Sequence, residues 1–222
     1  MMPPPPAADQ KAGLFFDKFA TTFDTFYEGK RSRWMRFIDG TFRRDMYLRF
    51  ALTFEKLGNL TDATVSDIGC GSGVYVMETL RRGAAHVAAV DPAPAMLALL
   101  CQRLREAGQE SRCTTYAGAF PAVKPPPGDF AIVMGVMDYI QDAPAFLEQL
   151  RPLVRQAAAV SFPSRHWLRT PLRSIRYKFR RCPVYFYDEP QIRALCQQAG
   201  FGSIDVYKIP GAGMDYHVVA RP

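Results

Sequence analysis

The stretch that decides the fold, residues 64–75, reads T-V-S-D-I-G-C-G-S-G-V-Y. It begins with β-branched residues of the kind that form a buried strand, and Asp67 lies near the carboxyl end of that run. Gly69, Gly71 and Gly73 follow at alternate positions, and a helical pattern comes after them. Glycine permits positive φ and lets a ligand approach the backbone without a Cβ in the way. A strand, a glycine loop and a helix in this order are typical of a nucleotide-like ligand site above a parallel sheet.

The glycine spacing excludes a dinucleotide site. Such a site requires G-x-G-x-x-G, in which the last glycine opens the helix. Counted from Gly69 the sixth position is Val74, and counted from Gly71 it is Val76, so the fingerprint and a nicotinamide oxidoreductase are both excluded. The chain instead has D-x-G-x-G-x-G, with Asp67 two residues before the first glycine. A carboxylate there would repel a pyrophosphate but suits a ligand that carries an ammonium group.

The glycine stretch resembles motif I of class I methyltransferases that depend on S-adenosylmethionine (SAM). The second half of the resemblance is Asp91, which ends a predicted second strand 18 residues after Gly73. An acidic residue about 20 residues beyond the loop can accept both ribose hydroxyls. Residues 91–97 then read D-P-A-P-A-M-L, close to the D-x-(S/P)-x-x-M-L pattern of this family, with proline in the first helical turn.

The resemblance implies SAM as cofactor and S-adenosylhomocysteine (SAH) as product. In the family an aspartate commonly stands near position 119 and binds the adenine amino group, whereas this chain has Ala119. We therefore expect adenine to be held by stacking on apolar groups such as Phe120 and by backbone N–H donors. The implied cofactor-binding residues are Asp67, Gly69, Cys70, Gly71, Gly73, Asp91, Pro92, Met96, Ala119, Phe120 and Gly135.

Alternating strand and helix patterns predict an α/β fold: a Rossmann-like, seven-stranded, mostly parallel sheet with an antiparallel last strand. The expected domains are a disordered leader at 1–10, an N-terminal helical cap at 11–58 and a SAM-dependent methyltransferase domain at 59–222. An insertion at 163–187 interrupts this last domain after its fifth strand. The five cysteines are odd in number and lack C-x-x-C spacing, so we expect reduced thiols, no metal site and a cytoplasmic protein.

The predicted cap contains an aromatic pattern at residues 16–27, F-D-x-x-A-x-x-F-D-x-x-Y. It resembles the Y-D-x-x-A-x-x-Y-D element of ubiquinone- and menaquinone-type methyltransferases, which lies over the cofactor pocket and implies a substrate contact for Tyr27. A helix packed on the sheet edge would give the same aromatic stripe. An arginine of the next predicted helix could reach the cofactor carboxylate, and the sequence does not choose among Arg31, Arg33, Arg36, Arg43, Arg44 and Arg49.

The candidate catalytic residues follow the predicted fourth and fifth strands. The resemblance implies that the segment after strand four flanks the reactive sulfonium and the methyl acceptor, which makes Asp138 and Tyr139 candidates. His166 follows strand five and can act as a general base near neutral pH. The alternatives are a loop carboxylate in a turn for Asp138 and a surface side chain for His166.

The net charge of +7 has a local origin. Seven basic residues and no acidic ones lie between Ser164 and Tyr187, and the rest of the chain is balanced. The segment is either a lid that contacts an anionic acceptor or a surface that also rests on an anionic membrane, as a peripheral protein would. The predicted substrate-binding residues here are Arg173, Arg176, Arg180, Tyr185 and Tyr187.

These patterns predict a methyltransferase that acts at oxygen or nitrogen of a small or amphipathic, anionic acceptor. Two alternatives stay open: an RNA or protein methyltransferase that uses the basic insertion, and a SAM-binding assembly subunit without catalysis. Nucleic acid is the weaker alternative, because residues 135–139 read G-V-M-D-Y rather than the N-P-P-Y or D-P-P-Y of nucleic-acid enzymes. The oligomeric state is not indicated.

Overall fold

The computed structural model describes residues 46–164, 185–209 and 215–222. Its strands are β1 (Thr64–Ile68), β2 (His86–Asp91), β3 (Cys113–Ala117), β4 (Gly128–Val133), β5 (Val154–Phe162), β6 (Ser203–Lys208) and β7 (Tyr216–Arg221). Its helices are α1 (residues 46–57), α2 (Val74–Arg81), α3 (Pro94–Glu106), α4 (Ala143–Leu150) and α5 (Glu189–Gln198). Two short 3₁₀ turns, Glu110–Arg112 and Arg151–Leu153, precede β3 and β5.

The strands form one sheet in the order β3-β2-β1-β4-β5-β7-β6, which confirms the predicted seven-stranded, mostly parallel sheet. Strands β1 to β5 pair in parallel, and β7 is antiparallel to both β5 and β6. The chain runs outward from β1 to β3 and then returns to place β4 on the other side of β1. This reversal opens a crevice beyond the carboxyl ends of β1 and β4, which is where α/β sheets bind ligands.

The sheet is covered on both faces, because residues along each strand alternate between two hydrophobic clusters. One face packs against α4 and α5, and the other packs against α1, α2 and α3. Burial on both faces explains why the central strands are apolar at nearly every position rather than at every second one. Among the described residues, no helix is long and apolar enough to span a bilayer.

Helix ends follow the local chemistry that the sequence shows. The Asp142 carboxylate caps α4 by accepting a hydrogen bond from the Ala145 N–H at 3.0 Å. The helix is Ala143–Leu150, and the 3₁₀ turn Arg151–Leu153 follows it. Pro152 explains the end of the helix, since it has no N–H to continue the α-helical ladder. Strand β3 begins at Cys113, because Arg112 completes a 3₁₀ turn.

Helix α1 belongs to the core of the sheet domain, although the sequence assigns it to a cap that ends at residue 58. Phe54 is 1% exposed, its ring lies 5.0 Å from that of Phe50 and 5.9 Å from that of Tyr75, and the Arg82 guanidinium lies over it. The predicted leader, residues 11–45 of the cap and residues 165–184 of the insertion lie outside the described residues.

The packing of α1 predicts that Phe54→Ala lowers the free energy of unfolding by about 3–5 kcal/mol, the usual cost of removing a fully buried aromatic side chain. Urea denaturation followed by circular dichroism measures this change. Leu48→Ala is the matched control on the same helix, because Leu48 is 37% exposed. It should change stability by no more than about 0.5 kcal/mol. A small loss for Phe54→Ala would mean that α1 does not share the domain core.

Candidate active site

The glycine loop after β1 is clamped between the turn that follows β4 and helix α3. A Cβ on Gly69 would lie 2.4 Å from Cγ2 of Val136, and a Cβ on Gly73 would lie 2.3 Å from Cδ1 of Leu100. Both glycines have positive φ, 75° and 85°, which larger residues rarely adopt. Two close approaches therefore hold the loop at the crevice between β1 and β4.

Gly71 differs from these two glycines because it faces open space. Its φ is 52°, and no atom lies within 4 Å of the position that a Cβ would occupy. Its N–H donates a hydrogen bond to Oδ2 of Asp91 at 2.8 Å. The middle of the loop thus offers bare backbone next to a carboxylate, a surface that a ribose or an amino acid group can approach closely.

Asp91 is held rigidly at the end of β2. Its second oxygen, Oδ1, accepts a hydrogen bond from the Ala93 N–H at 2.8 Å. Burial raises the pKa of Asp91, and the two backbone hydrogen bonds oppose that rise. Each carboxylate oxygen can accept more than one hydrogen bond, so this arrangement fixes the group and leaves capacity for ribose hydroxyls.

Asp67 is a buried acid whose surroundings suit a cationic partner. It is 1% exposed, and among the described residues its Oδ2 has no hydrogen-bond partner. Burial, followed by the negative charge of Asp91, raises its pKa to about 8. A buried carboxylate without a partner is costly unless a ligand supplies one. The ammonium group of SAM fits this requirement.

Of the six arginines that the sequence left open, Arg49 is the one that lies within the described residues. A Cβ on Gly135, the residue that opens the turn after β4, would lie 3.9 Å from both terminal nitrogens of Arg49. Burial raises the pKa of the nearby Tyr75, and the positive charge of Arg49 opposes that rise. Arg49 therefore brings a cation to the crevice. The other five arginines, Arg31, Arg33, Arg36, Arg43 and Arg44, lie outside the described residues.

Several residues predicted to lie near the methyl acceptor are close to Asp138. This residue is 5% exposed, and its carbonyl oxygen accepts a hydrogen bond from the Tyr185 N–H at 2.9 Å. Tyr187 lies in the same contact region, and burial followed by the charge of Asp138 raises its pKa to about 12. Tyr139 is half-buried in the same turn, and its N–H donates to the Val136 carbonyl at 2.9 Å. The carboxyl-terminal end of the insertion thus meets the turn after β4.

A groove of about 590 Å³ adjoins these tyrosines on the side of α4 and α5. Its described wall carries no charged side chain, and none of the predicted cofactor residues contributes to it. The groove is therefore a neighbour of the acceptor side rather than the cofactor crevice. Its wall combines amides, aromatic rings and aliphatic groups, namely Gln141, Ala143, Pro144, Tyr185, Phe186, Tyr187, Gln191, Ala194, Leu195 and Gln198.

The predicted stacking role of Phe120 needs correction. Its ring is buried in the sheet core, edge-on to Phe146 at 5.0 Å, so it offers no open face to an adenine. Met96 is likewise buried, against Ala93 at the start of α3. Cys70 is buried within the glycine loop, and Pro92 and Ala119 are half-buried at the ends of β2 and β3. Of the groups predicted to bind the adenine, the backbone N–H donors and the small residue Ala119 are therefore the ones still available.

Five of the predicted catalytic and substrate-binding residues lie outside the described residues. They are Tyr27, His166, Arg173, Arg176 and Arg180.

The chain is similar to known proteins in part of its sequence and in its fold. Residues 65–157 match the family model described as a methyltransferase domain. Magnesium protoporphyrin IX methyltransferase of Synechocystis PCC 6803, crystallised with bound SAM, is 19% identical with a TM-score of 0.78, and the alignment covers 100% of both chains. No curated protein sequence matches the chain significantly.

Two further solved structures share the fold. A SAM-dependent methyltransferase of Mesorhizobium loti is 14% identical with a TM-score of 0.65, over 80% of this chain and 98% of that one. The pyocyanin biosynthetic protein PhzM is 16% identical with a TM-score of 0.62, over 90% of this chain and 61% of that one. At such low identity these likenesses establish the fold.

The buried Asp67 predicts that SAH binding at pH 7 releases about one proton, because a carboxyl with a pKa of about 8 is protonated there until an ammonium group stabilises its charge. Calorimetry in phosphate and in Tris, whose ionisation enthalpies differ, measures this release. Asp67→Asn is the isosteric control and should release close to none. A binding enthalpy of the parent protein that is the same in both buffers would contradict the assignment.

Proposed function

We propose that this chain is a class I methyltransferase that uses SAM as its cofactor and transfers a methyl group to oxygen or nitrogen of a small-molecule acceptor. The acceptor would lie at the carboxyl edge of β4 and β5. One observation carries the proposal: the glycine loop, the two buried acids and the Asp138 turn all meet at the single crevice where the chain reverses between β1 and β4. The printed names of two structural neighbours, a protoporphyrin methyltransferase and a pyocyanin biosynthetic protein, also support a small-molecule acceptor.

Each end of the cofactor has a partner of complementary chemistry in the proposed arrangement. Asp91 accepts the ribose hydroxyls, and Asp67 accepts the ammonium group at the other end. Arg49 donates to the carboxylate, because its guanidinium lies beside Gly135. SAM supplies a sulfonium-bound methyl that is already electrophilic, so the remaining task of the protein is alignment and exclusion of water.

Asp138 is the proposed general base for a hydroxyl or protonated amine acceptor. It is buried in the turn that follows β4. The Tyr185 N–H donates a hydrogen bond to its carbonyl oxygen, and its charge contributes to the raised pKa of Tyr187. A base in this position contributes about 10²–10⁴ in rate where the acceptor must lose a proton. Tyr139 and His166 remain proposals for the same task.

The anionic character of the acceptor is also a proposal, and it rests on the basic segment. The described wall of the neighbouring groove is uncharged. An acceptor that uses both surfaces would place a flat or apolar body in the groove and an anionic group against Arg173, Arg176 and Arg180. Contact of the same segment with an anionic membrane is a further proposal, and vesicle sedimentation at low and high salt tests it.

Two alternatives stay open. A SAM-binding assembly subunit without catalysis would use the two buried acids as cofactor ligands in the same way, so methyl transfer itself separates it from the proposed enzyme. An RNA or protein methyltransferase would use the basic segment as its binding surface. Methyl transfer to RNA or to a protein, compared with transfer to small acceptors, separates this alternative from the proposed function.

Transfer of labelled methyl groups from SAM to a panel of hydroxyl and amine acceptors tests the proposed function. With an acceptor found, Asp138→Asn should lower kcat by about 10²–10⁴ and leave the SAM dissociation constant within about twofold, because a general base acts on the acceptor. Asp142→Asn is the matched control, since Asp142 caps α4 in the same loop and lies outside the proposed base position. An Asp138→Asn enzyme with the parent kcat would remove this residue from the mechanism.

The role of Arg49 predicts selective loss of affinity at the amino acid end of the cofactor. Arg49→Gln should weaken SAH about tenfold or more, because a charged hydrogen bond contributes about 1.5–3 kcal/mol. It should leave 5′-methylthioadenosine, which lacks the carboxylate and the ammonium group, within about twofold. Calorimetry with both ligands measures the difference.

Lys56→Gln is the control for Arg49, because it removes a cation from the same helix at a site where Lys56 pairs with Glu55 and lies over the Tyr207 ring. Asp91→Asn should weaken both ligands, since both carry the ribose. Equal affinities of parent and Arg49→Gln for SAH would contradict the assignment.

A further inference from the structure

Three buried polar residues lie between helix α1 and the carboxyl end of β5, and no step of the proposed reaction uses them. They are Thr53 on α1, His217 on β7 and Ser161 on β5. Ser161 and His217 stand directly opposite each other in the antiparallel β5–β7 ladder, so their side chains project from the same face of the sheet. Polar side chains at this depth are expected to be paired, and the pattern of pairing is informative.

Thr53 connects His217 to the backbone of Arg49. Its hydroxyl donates a hydrogen bond to the Arg49 carbonyl at 2.8 Å, and Nε2 of His217 lies 3.0 Å from the same hydroxyl oxygen. A hydroxyl has one hydrogen, so its oxygen accepts from an Nε2–H of the histidine. Burial, then the charges of Arg49 and Lys56, lower the pKa of His217 to about 4, which keeps the ring neutral at physiological pH.

Ser161 holds the opposite side of the same contact. Its hydroxyl oxygen accepts a hydrogen bond from the Gly135 N–H at 2.7 Å. Gly135 is the residue that Arg49 faces, and its φ of 73° turns the chain out of β4. Ser161 and His217, which face each other on the β5–β7 ladder, therefore support the two residues that approach each other here. Ser161 binds the Gly135 N–H, and His217 supports the Arg49 backbone through Thr53.

We propose that His217 and Thr53 are positioning residues for the cofactor, because together they fix the turn of α1 from which the Arg49 guanidinium reaches the amino acid end of SAM. The inference rests on the proposed role of Arg49. Arginine has a long side chain with considerable rotamer freedom, so a fixed backbone is needed to place its guanidinium. Small displacements of a positioning group have large effects on binding geometry.

Thr53→Val and Thr53→Ser test the inference as a pair. Valine keeps the shape of threonine but removes the hydroxyl, whereas serine keeps the hydroxyl. Thr53→Val should weaken SAH about three- to tenfold, the range expected for losing one neutral hydrogen bond, and leave 5′-methylthioadenosine within about twofold. Thr53→Ser should bind both ligands like the parent protein.

His217→Leu and His217→Gln form the second pair. Glutamine retains an N–H donor for Thr53 and should restore much of the SAH affinity that leucine loses. Thermal unfolding of every variant shows whether it is folded. Should His217→Leu fail to fold, the Thr53 pair decides the question, because it changes only a hydroxyl or a methyl group.

The Arg49→Gln background separates positioning from general stability. There Thr53→Val should cause no further loss of SAH affinity, because the group that it positions is absent. Additive losses, equal losses for SAH and 5′-methylthioadenosine, or an unchanged SAH affinity in Thr53→Val would each overturn the inference. If Arg49→Gln weakens SAH binding but Thr53→Val does not, the positioning role of Thr53 and His217 is refuted and the role of Arg49 stands. If Arg49→Gln itself has no effect, the assignment of Arg49 fails and the inference with it.

Discussion

The close approach of the glycine loop to the turn after β4 is the constraint on which the proposed site depends. The Gly69 backbone lies so near the Val136 side chain that a Cβ on Gly69 would overlap the Cγ2 atom of Val136. A larger residue at position 69 would therefore require Val136 to shift within that turn. The glycine loop and the turn are thus parts of one packed unit, so a change in either is felt by the other.

Burial of charge is the second feature that organises the crevice. Asp67 and Asp91 lie side by side at the ends of β1 and β2, and each is buried from solvent. Asp91 receives two backbone N–H groups, which stabilise its charge, while burial leaves Asp67 with a pKa of about 8. Burial raises the pKa of both acids, but only at Asp91 do backbone hydrogen bonds oppose that rise. This difference suits a ligand that brings neutral hydroxyls to one acid and a cation to the other.

The sequence was sufficient for the seven-stranded, mostly parallel sheet, because strand and helix patterns alternate along the chain. The proposed roles of the glycine loop, Asp67 and Asp91 could be predicted because they depend on spacing within one strand–helix–strand unit. Phe120 could not be placed in this way, because an apolar residue after a strand is equally compatible with a ligand face and with the core. His217 was likewise hidden: within Y-H-V-V-A-R it has the pattern of an ordinary strand residue, and its partner Thr53 is 164 residues away.

Arg49 shows why long-range partners escape sequence reasoning even when their chemistry is anticipated. Six arginines precede the first strand, and helical periodicity does not distinguish which of them binds the cofactor carboxylate. Among them, Arg49 is the one that lies within the described residues, and a tertiary contact sets its position: Phe54 packs α1 on the sheet, and the terminal nitrogens of Arg49 lie near Gly135. The packing of α1 thus places a cation beside the turn after β4, so the hydrophobic core also supports the proposed cofactor site.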